Sequence, residues 1–318
     1  MSQTLQAKKT LVFIFAIGLI ITASLALYSN LHQNSEKKTE QRIDSRLKTI
    51  RYSFEISNKE NVFIEESKFF AFAPVAETSS QKVVSLTATE NFELETDRYG
   101  NQVMGFVLKN LAPYSKRTIT ITAEVAFFDM PRILNEKAWM EEGDIFLSPE
   151  RFIESDNEKI LSTALAISKS FEASQEAGKT QSSPLVTHKW VASHLDYAGY
   201  TKKDFGALYA LEKQLGDCTE YMYLFTALMR AQNIKSHGLA GFRVEGESGL
   251  LRADEYHNWS SFLDEESVWR MADPQNNVFD SQYDKYLAFR VLVPDELKTM
   301  TNTHRFLAFD QRLKVTMM

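Results

Sequence analysis

Residues 11–27 carry no charge, residues 31–48 are predominantly polar, and from Ile50 onward apolar side chains recur at every second position. Ile50, Tyr52, Phe54 and Ile56 form one alternating run, and Ile119, Ile121 and Ala123 another, with shorter runs at 68–74, 81–88 and 102–109 between them. A period of two marks strands with one buried face. Tyr99-Gly100-Asn101 and Ala112-Pro113-Tyr114 supply turns, so residues 50–128 are expected to form an antiparallel β-sandwich. Residues 129–154, with Pro131, Gly143 and Pro149, read as a connector. The spacing then becomes helical. Asp156 is placed to cap a helix whose stripe includes Ile160, Leu161, Leu165 and Ile167. Ser183-Pro184 starts a second helix over 185–195, since proline suits the first helical position. Residues 207–215 make a shorter one, and strands return at 236–244, 255–263, 268–273, 287–293 and 313–317. The expected class is α+β. An N-terminal sandwich is followed, over 155–318, by helices, an antiparallel sheet and C-terminal strands.

The apolar run at 11–27 changes the picture of where this chain works. It follows Lys8-Lys9 and sits at the short end of a membrane-spanning helix. Ser24-Leu25-Ala26 has the small residues of a cleavage site, so residues 1–30 are an anchor or a signal segment. The length of the run and the position of the cut at its very edge favour an uncleaved anchor. Residues 31–49 then serve as a spacer, and the lysine pair favours an orientation with the bulk of the chain outside the cytoplasm, which is the periplasmic side if the cell is Gram-negative. With 36 basic against 42 acidic residues, a net charge of −6 and no Lys/Arg block, nucleic acid is not an expected partner. A content of 44% hydrophobic residues is ample for a core.

The candidate chemistry centres on Cys218, the only cysteine among 318 residues. A single thiol makes no internal disulfide, and thiolate metal sites draw on several ligands. A buried spectator, an intermolecular cross-link and a reactive nucleophile remain. An unpaired thiol kept in an oxidising compartment favours the last. In Gly216-Asp217-Cys218-Thr219-Glu220 the aspartate and glutamate have capping-box spacing. Tyr221, Leu224, Phe225, Leu228 and Ala231 follow as an inward stripe. Cys218 thus falls in the first helical turn, where free amides and the helix dipole stabilise a thiolate. His257 and Asp273 lie in two aromatic-rich strands joined by Asp264-Glu265-Glu266-Ser267. A hairpin centred near residue 265 sets His257 opposite Asp273 and Trp259 opposite Met271, where facing side chains meet. The aspartate then fixes the imidazole tautomer and leaves its other nitrogen for the thiol. Together the three supply nucleophile, base and orienter for acyl transfer. The Cys218 N–H is a natural oxyanion donor, and Gln214, Tyr197 and Trp190 are candidates for a second. His188, His194 and His237 read as structural or surface residues.

These motifs, with residues 224–231, Gly238-Leu239-Ala240-Gly241, His257-Asn258-Trp259 and Trp269-Arg270-Met271-Ala272-Asp273-Pro274, resemble the core of the transglutaminase-like superfamily over roughly residues 155–280. The resemblance implies a papain-like α+β core with a Cys-His-Asp triad on Cys218, His257 and Asp273, and a protein or peptide substrate. The run at 191–197 resembles the helix preceding the cysteine in bacterial members, and the sandwich resembles a module many of them carry. Residues 233–238 lack the proline that bacterial members often show, and Asn258 replaces the usual alanine. Nothing resembles the calcium-binding loops of animal transglutaminases, and no metal or cofactor is assigned. The expected function is extracytoplasmic, thiol-dependent acyl transfer at amide bonds, by a peptidase, deamidase or transamidase. A membrane-held binding module without turnover is the alternative.

Overall fold

Alternation places Ile50, Tyr52, Phe54 and Ile56 on the buried face of β1 (Ser45–Asn58), opposite the buried Ile119, Ile121 and Ala123 of β6 (Lys116–Phe128). The computed structural model describes residues 45–134, 145–176, 181–244, 249–293 and 305–318. The expected anchor at 1–30 and most of the spacer lie outside them. Among the described residues no helix is long and apolar enough to cross a membrane. Between β1 and β6 run β2 (Ile64–Ala73), β3 (Gln81–Ala88), β4 (Phe92–Thr96) and β5 (Gln102–Leu111). β4 escaped the sequence reading because it is only five residues long and lies at an exposed edge, where little of it is buried. β1 begins at Ser45, inside the expected spacer. Arg46 and Lys48 conceal the pattern there because they reach across to Asp284.

The second half opens with α1 (Glu158–Glu176), α2 (Ser183–His194), β7 (Asp196–Tyr197), α3 (Ala207–Lys213), β8 (Leu215–Gly216) and α4 (Cys218–Ala231). α1 buries Ile160, Ala164 and Ile167. Leu161 and Leu165, expected on that stripe, are 44% and 56% exposed. Asn157, not Asp156, supplies the capping oxygen, accepting from the Lys159 N–H at 2.9 Å. The end of the 191–197 run is the strand β7, which pairs with β8 and so lies beside the residues entering α4. Then come β9 (Ser236–Arg243), β10 (Tyr256–Leu263), β11 (Trp269–Asp273), β12 (Val278–Phe279) and β13 (Tyr286–Leu292), in the sheet order β12-β11-β10-β9-β13. α4 lays Leu224, Phe225 and Leu228 against Phe262 and Ala272 of this sheet.

The chain then returns to the sandwich. β14 (Phe306–Ala308) pairs with β2, and β15 (Leu313–Met317) pairs with β1. The two sandwich sheets are therefore β15-β1-β6-β3 and β14-β2-β5-β4. This corrects the expectation that the C-terminal strands belong with 155–318. Alternation identified β15 as a strand, but a pattern of period two is silent about its partner. Phe242, Val244, Leu287 and Phe289 of the second half share one apolar cluster with Tyr52, Phe54 and Phe69 of the sandwich. The outer edge of β13 is closed by sandwich amides. Gln81 Oε1 accepts from Ala288 N–H at 2.7 Å and its Nε2 donates to the Ala288 carbonyl at 2.9 Å. Asn101 brackets Val291 in the same way, at 2.7 and 3.0 Å. A buried edge left without such partners would hold unsatisfied backbone groups.

Candidate active site

The short pairing of β7 with β8 delivers the chain to the start of α4. Asp217 Oδ1 accepts from the Thr219 N–H at 2.8 Å, and Glu220 Oε2 accepts from the Asp217 N–H at 3.1 Å. The expected capping box is complete. Asp217 Oδ2 also holds the Thr201 N–H at 3.0 Å, tying the preceding loop to the cap. Gly216 makes room for Glu220 to fold back, since a Cβ there would stand 2.3 Å from the Glu220 Cβ. Burial pushes the Glu220 carboxyl up to about 7, against the backbone N–H groups of Phe205 and Asp217 that it accepts. Cys218 is half-buried in the first turn and faces a cleft of about 1070 Å³. A helix start leaves amides free to favour negative charge at such a position.

His257 enters the same cleft from β10, at a point where it pairs with Gly241 of β9. A Cβ at Gly241 would stand 2.0 Å from the Leu287 carbonyl oxygen, so only glycine lets β13 close against β9 here. The hairpin register differs from the expected one. Ser260 pairs with Ala272, Ser261 with Met271 and Leu263 with Trp269. Continued, this sets Asp273 level with Trp259, two positions from His257. The reason lies in the turn. Asp264 N–H donates to the Val268 carbonyl at 3.0 Å, and Ser267 adopts φ 61°. The loop is therefore 265–267, a three-residue hairpin ending in the left-handed region. A shift of two preserves the face, whereas a shift of one would reverse it. His257 and Asp273 thus meet as diagonal neighbours. Asp273 Oδ2 accepts from His257 Nε2 at 2.7 Å, which leaves Nδ1 for the thiol.

Asp273 is 1% exposed at its side chain and densely held. Its Oδ2 also accepts from the Tyr286 hydroxyl at 2.7 Å and from Asn276 Nδ2 at 2.7 Å, while Oδ1 takes the Asn276 N–H at 3.2 Å. Burial acts to raise this carboxyl. The hydrogen bond and charge of His257, with the Asn276 and Tyr286 bonds, outweigh it and hold Asp273 below the ordinary range. For His257 burial acts to lower the pKa, but hydrogen bonds to Asp273 and Cys218 and the charges of both carry it up to about 9. The balance favours the protonated imidazole, which Asp273 holds through Nε2. Trp259 stacks on His257 at 6.2 Å and meets Tyr286 edge-on at 5.2 Å, shielding the pair from the core side.

The structure brings Cys218, His257 and Asp273 together. Of the three candidates for a second oxyanion donor, Tyr197 lines the cleft. Trp190 instead stacks on His194 at 4.2 Å. Asn258 turns away from the cleft side of its strand and donates to Thr219 Oγ1 at 3.0 Å, linking β10 to the first turn of α4. His188 is buried behind Asp273, its Nε2 3.3 Å from that residue's carbonyl oxygen. His237 is buried and driven down to about 3 by burial, then by the charge of Arg230. The sequence reading missed Tyr286 and Asn276. Tyr286 sits at the head of an aromatic strand and Asn276 in a turn, so neither carries a local signal of its partner. A sulfur, an imidazole and a fixed carboxylate so arranged are the parts that thiol-dependent acyl transfer requires.

Comparison with known proteins gives the same core. Residues 167–274 match the family model of the transglutaminase-like superfamily, and Cys218, His257 and Asp273 all fall inside that span. Among solved structures, one similar to this chain is a proposed cysteine protease from Cytophaga hutchinsonii, at 16% identity and a TM-score of 0.51. That alignment covers 86% of this chain and 91% of that one. The periplasmic domain of TgpA from Pseudomonas aeruginosa aligns at 12% identity with a TM-score of 0.39, covering 75% of this chain and 74% of that one. At 16% identity the likeness to the Cytophaga protein is one of fold. Among curated proteins none matches.

Proposed function

We propose that this chain, whose residues 167–274 form a transglutaminase-like superfamily domain, is a cysteine-dependent enzyme that transfers acyl groups from amide bonds of a protein or peptide. The observation that carries this reading is the hydrogen bond from His257 Nε2 to the buried Asp273, with His257 and Cys218 lining one large cleft. The sulfur attacks the carbonyl carbon of a carboxamide or peptide bond. The oxyanion that forms is met by the Cys218 N–H at the helix start. His257 gives its proton to the departing nitrogen, the C–N bond breaks, and a thioester remains on Cys218. Water or a second amine then attacks that thioester and yields a proton to His257, and the thiolate leaves. Asp273 stays ionised throughout and keeps Nδ1 aimed at the sulfur. Anchoring by residues 1–30 places this chemistry outside the cytoplasm. A binding module without turnover would fit a cleft filled by the C-terminal tail. Here the tail forms strands in the sandwich and walls the cleft instead.

Labelling with a thiol-reactive amide mimic tests the reading. Label is expected on Cys218 of the parent chain and absent from C218A; undiminished labelling of C218A would refute it. Incubation with a peptide mixture and an amine donor then identifies the acceptor from the mass of the product. Chain cleavage with gain of water marks a peptidase, exchange of ammonia for water a deamidase, and gain of the donor with loss of ammonia a transamidase.

A further inference from the structure

The cleft that holds the sulfur is lined in part by the strands β14 and β15. Val315, Thr316 and Met317 of β15 line it, together with Phe306 of β14. β15 is the outermost strand of its sheet, paired with β1 on one side and, among the described residues, with no strand on the other. The direction of its backbone groups follows from two hydrogen bonds. Met318 N–H donates to the Ser53 carbonyl at 2.9 Å, and Lys59 N–H donates to the Arg312 carbonyl at 2.9 Å. In an antiparallel ladder a residue's N–H and C=O share a direction and successive residues alternate. Lys314 and Thr316 therefore direct theirs at β1, and Val315 and Met317 direct theirs outward. Exposed edges of this kind are templates for another strand, and proteins commonly block them with charge or proline. This edge has neither at its outward positions, because the Val315 and Met317 side chains pack on the sandwich core.

Resting on the reading of Cys218 as an acyl-transfer nucleophile, we propose that the outer edge of β15 is the substrate-docking strand. It holds an extended polypeptide by main-chain pairing with Val315 and Met317 while a segment of that polypeptide reaches Cys218. The charges around the cleft favour this class of substrate. Arg243 and Arg305 are offset by Asp254 and Glu255, so no single-sign field selects an anionic or cationic group. The volume of about 1070 Å³ exceeds what a compact small molecule fills. Strand addition supplies affinity through the backbone and tolerates varied side chains.

Tolerance of sequence makes the test independent of the natural substrate. Full-length C218A, in detergent, is mixed with unfolded β-casein up to millimolar concentration. Amide exchange at Val315 and Met317 is expected to slow at least tenfold, with Thr316, already bonded to β1, unchanged. V315P removes an outward N–H that the sheet does not use. It should weaken β-casein binding at least tenfold while its melting temperature stays within a few degrees of the parent. T316P removes a bond to β1 and should lower the melting temperature. No binding, binding without slower exchange at Val315 and Met317, or undiminished binding by a folded V315P would each overturn the proposal. If V315P does not fold, the exchange measurement on the unaltered edge decides. Alkylation of Cys218 by iodoacetamide in the parent chain needs no polypeptide and tests the catalytic reading separately.

Discussion

Tyr286 and Asn276 make Asp273 a better anion than its burial alone would allow, and that stabilisation passes to His257 through one hydrogen bond. Y286F removes a bond to a charged oxygen, a loss of about 1.5–3 kcal/mol where such bonds are buried. Asp273 then takes up a proton more readily, so the acid limb of the rate of Cys218 alkylation against pH should move to higher pH. D273N removes the charge itself. His257 then loses the partner that contributes most to raising it to about 9, and the imidazole's own titration, followed by NMR, should move down by at least one pH unit; an unmoved titration would show that Asp273 does not set the imidazole's charge. Stability follows the same sign. A histidine raised from its ordinary 6.5 to about 9 on folding contributes stability that is complete below about 6.5 and lost as pH rises through about 9. Urea titrations of the parent and H257A should therefore converge across that window. The meeting of Cys218, His257 and Asp273 was legible in the sequence, because each of these candidates sits in a distinctive local motif. Tyr286 was not, since its hydroxyl finds Asp273 only after β13 has packed beside β9.

At the level of elements, the start of α4 was fully readable and the hairpin was not. A capping box is encoded within four residues, and the Gly216 that precedes it adds the space Glu220 requires. Register depends on how a turn closes. The left-handed Ser267 drew the pairing two residues away from a symmetric reading of the same strands. The face survived because the period of a strand is two. The cap itself has a measurable role. D217A removes acceptors of the Thr219 and Thr201 N–H groups, and loss of an N-cap costs about 1 kcal/mol, up to about 2 in well-formed cases. The melting temperature of D217A should fall accordingly. Its rate of Cys218 alkylation should fall by more than the unfolded fraction explains, because the first turn that holds the sulfur loosens; an unchanged rate per folded molecule would show that the turn is held by other contacts.

For the molecule as a whole, sequence pattern located the longer strands of both halves but not their joining. The last strand of the chain completes the first sheet, the Gln81 and Asn101 side chains close the edge of β13, and Phe242 and Phe289 enter the sandwich core. None of these contacts has a periodicity, and each joins residues far apart in sequence. Their expected physical consequence is that the two halves unfold as one. Trp190, Trp259 and Trp269 lie in the half that carries the candidate site, so the fluorescence of a W139F background reports that half, while far-ultraviolet circular dichroism reports all strands and helices. Phe54 packs on Phe69 and Phe306 within the sandwich, at 5.1 and 5.3 Å. F54A should cost about 3–5 kcal/mol, or roughly ten degrees in melting temperature for a chain of this size. The fluorescence midpoint should fall by the same amount as the dichroism midpoint. A tryptophan transition left at its parental temperature would mean that the sandwich melts alone and that its edge strand cannot be a fixed wall of the cleft.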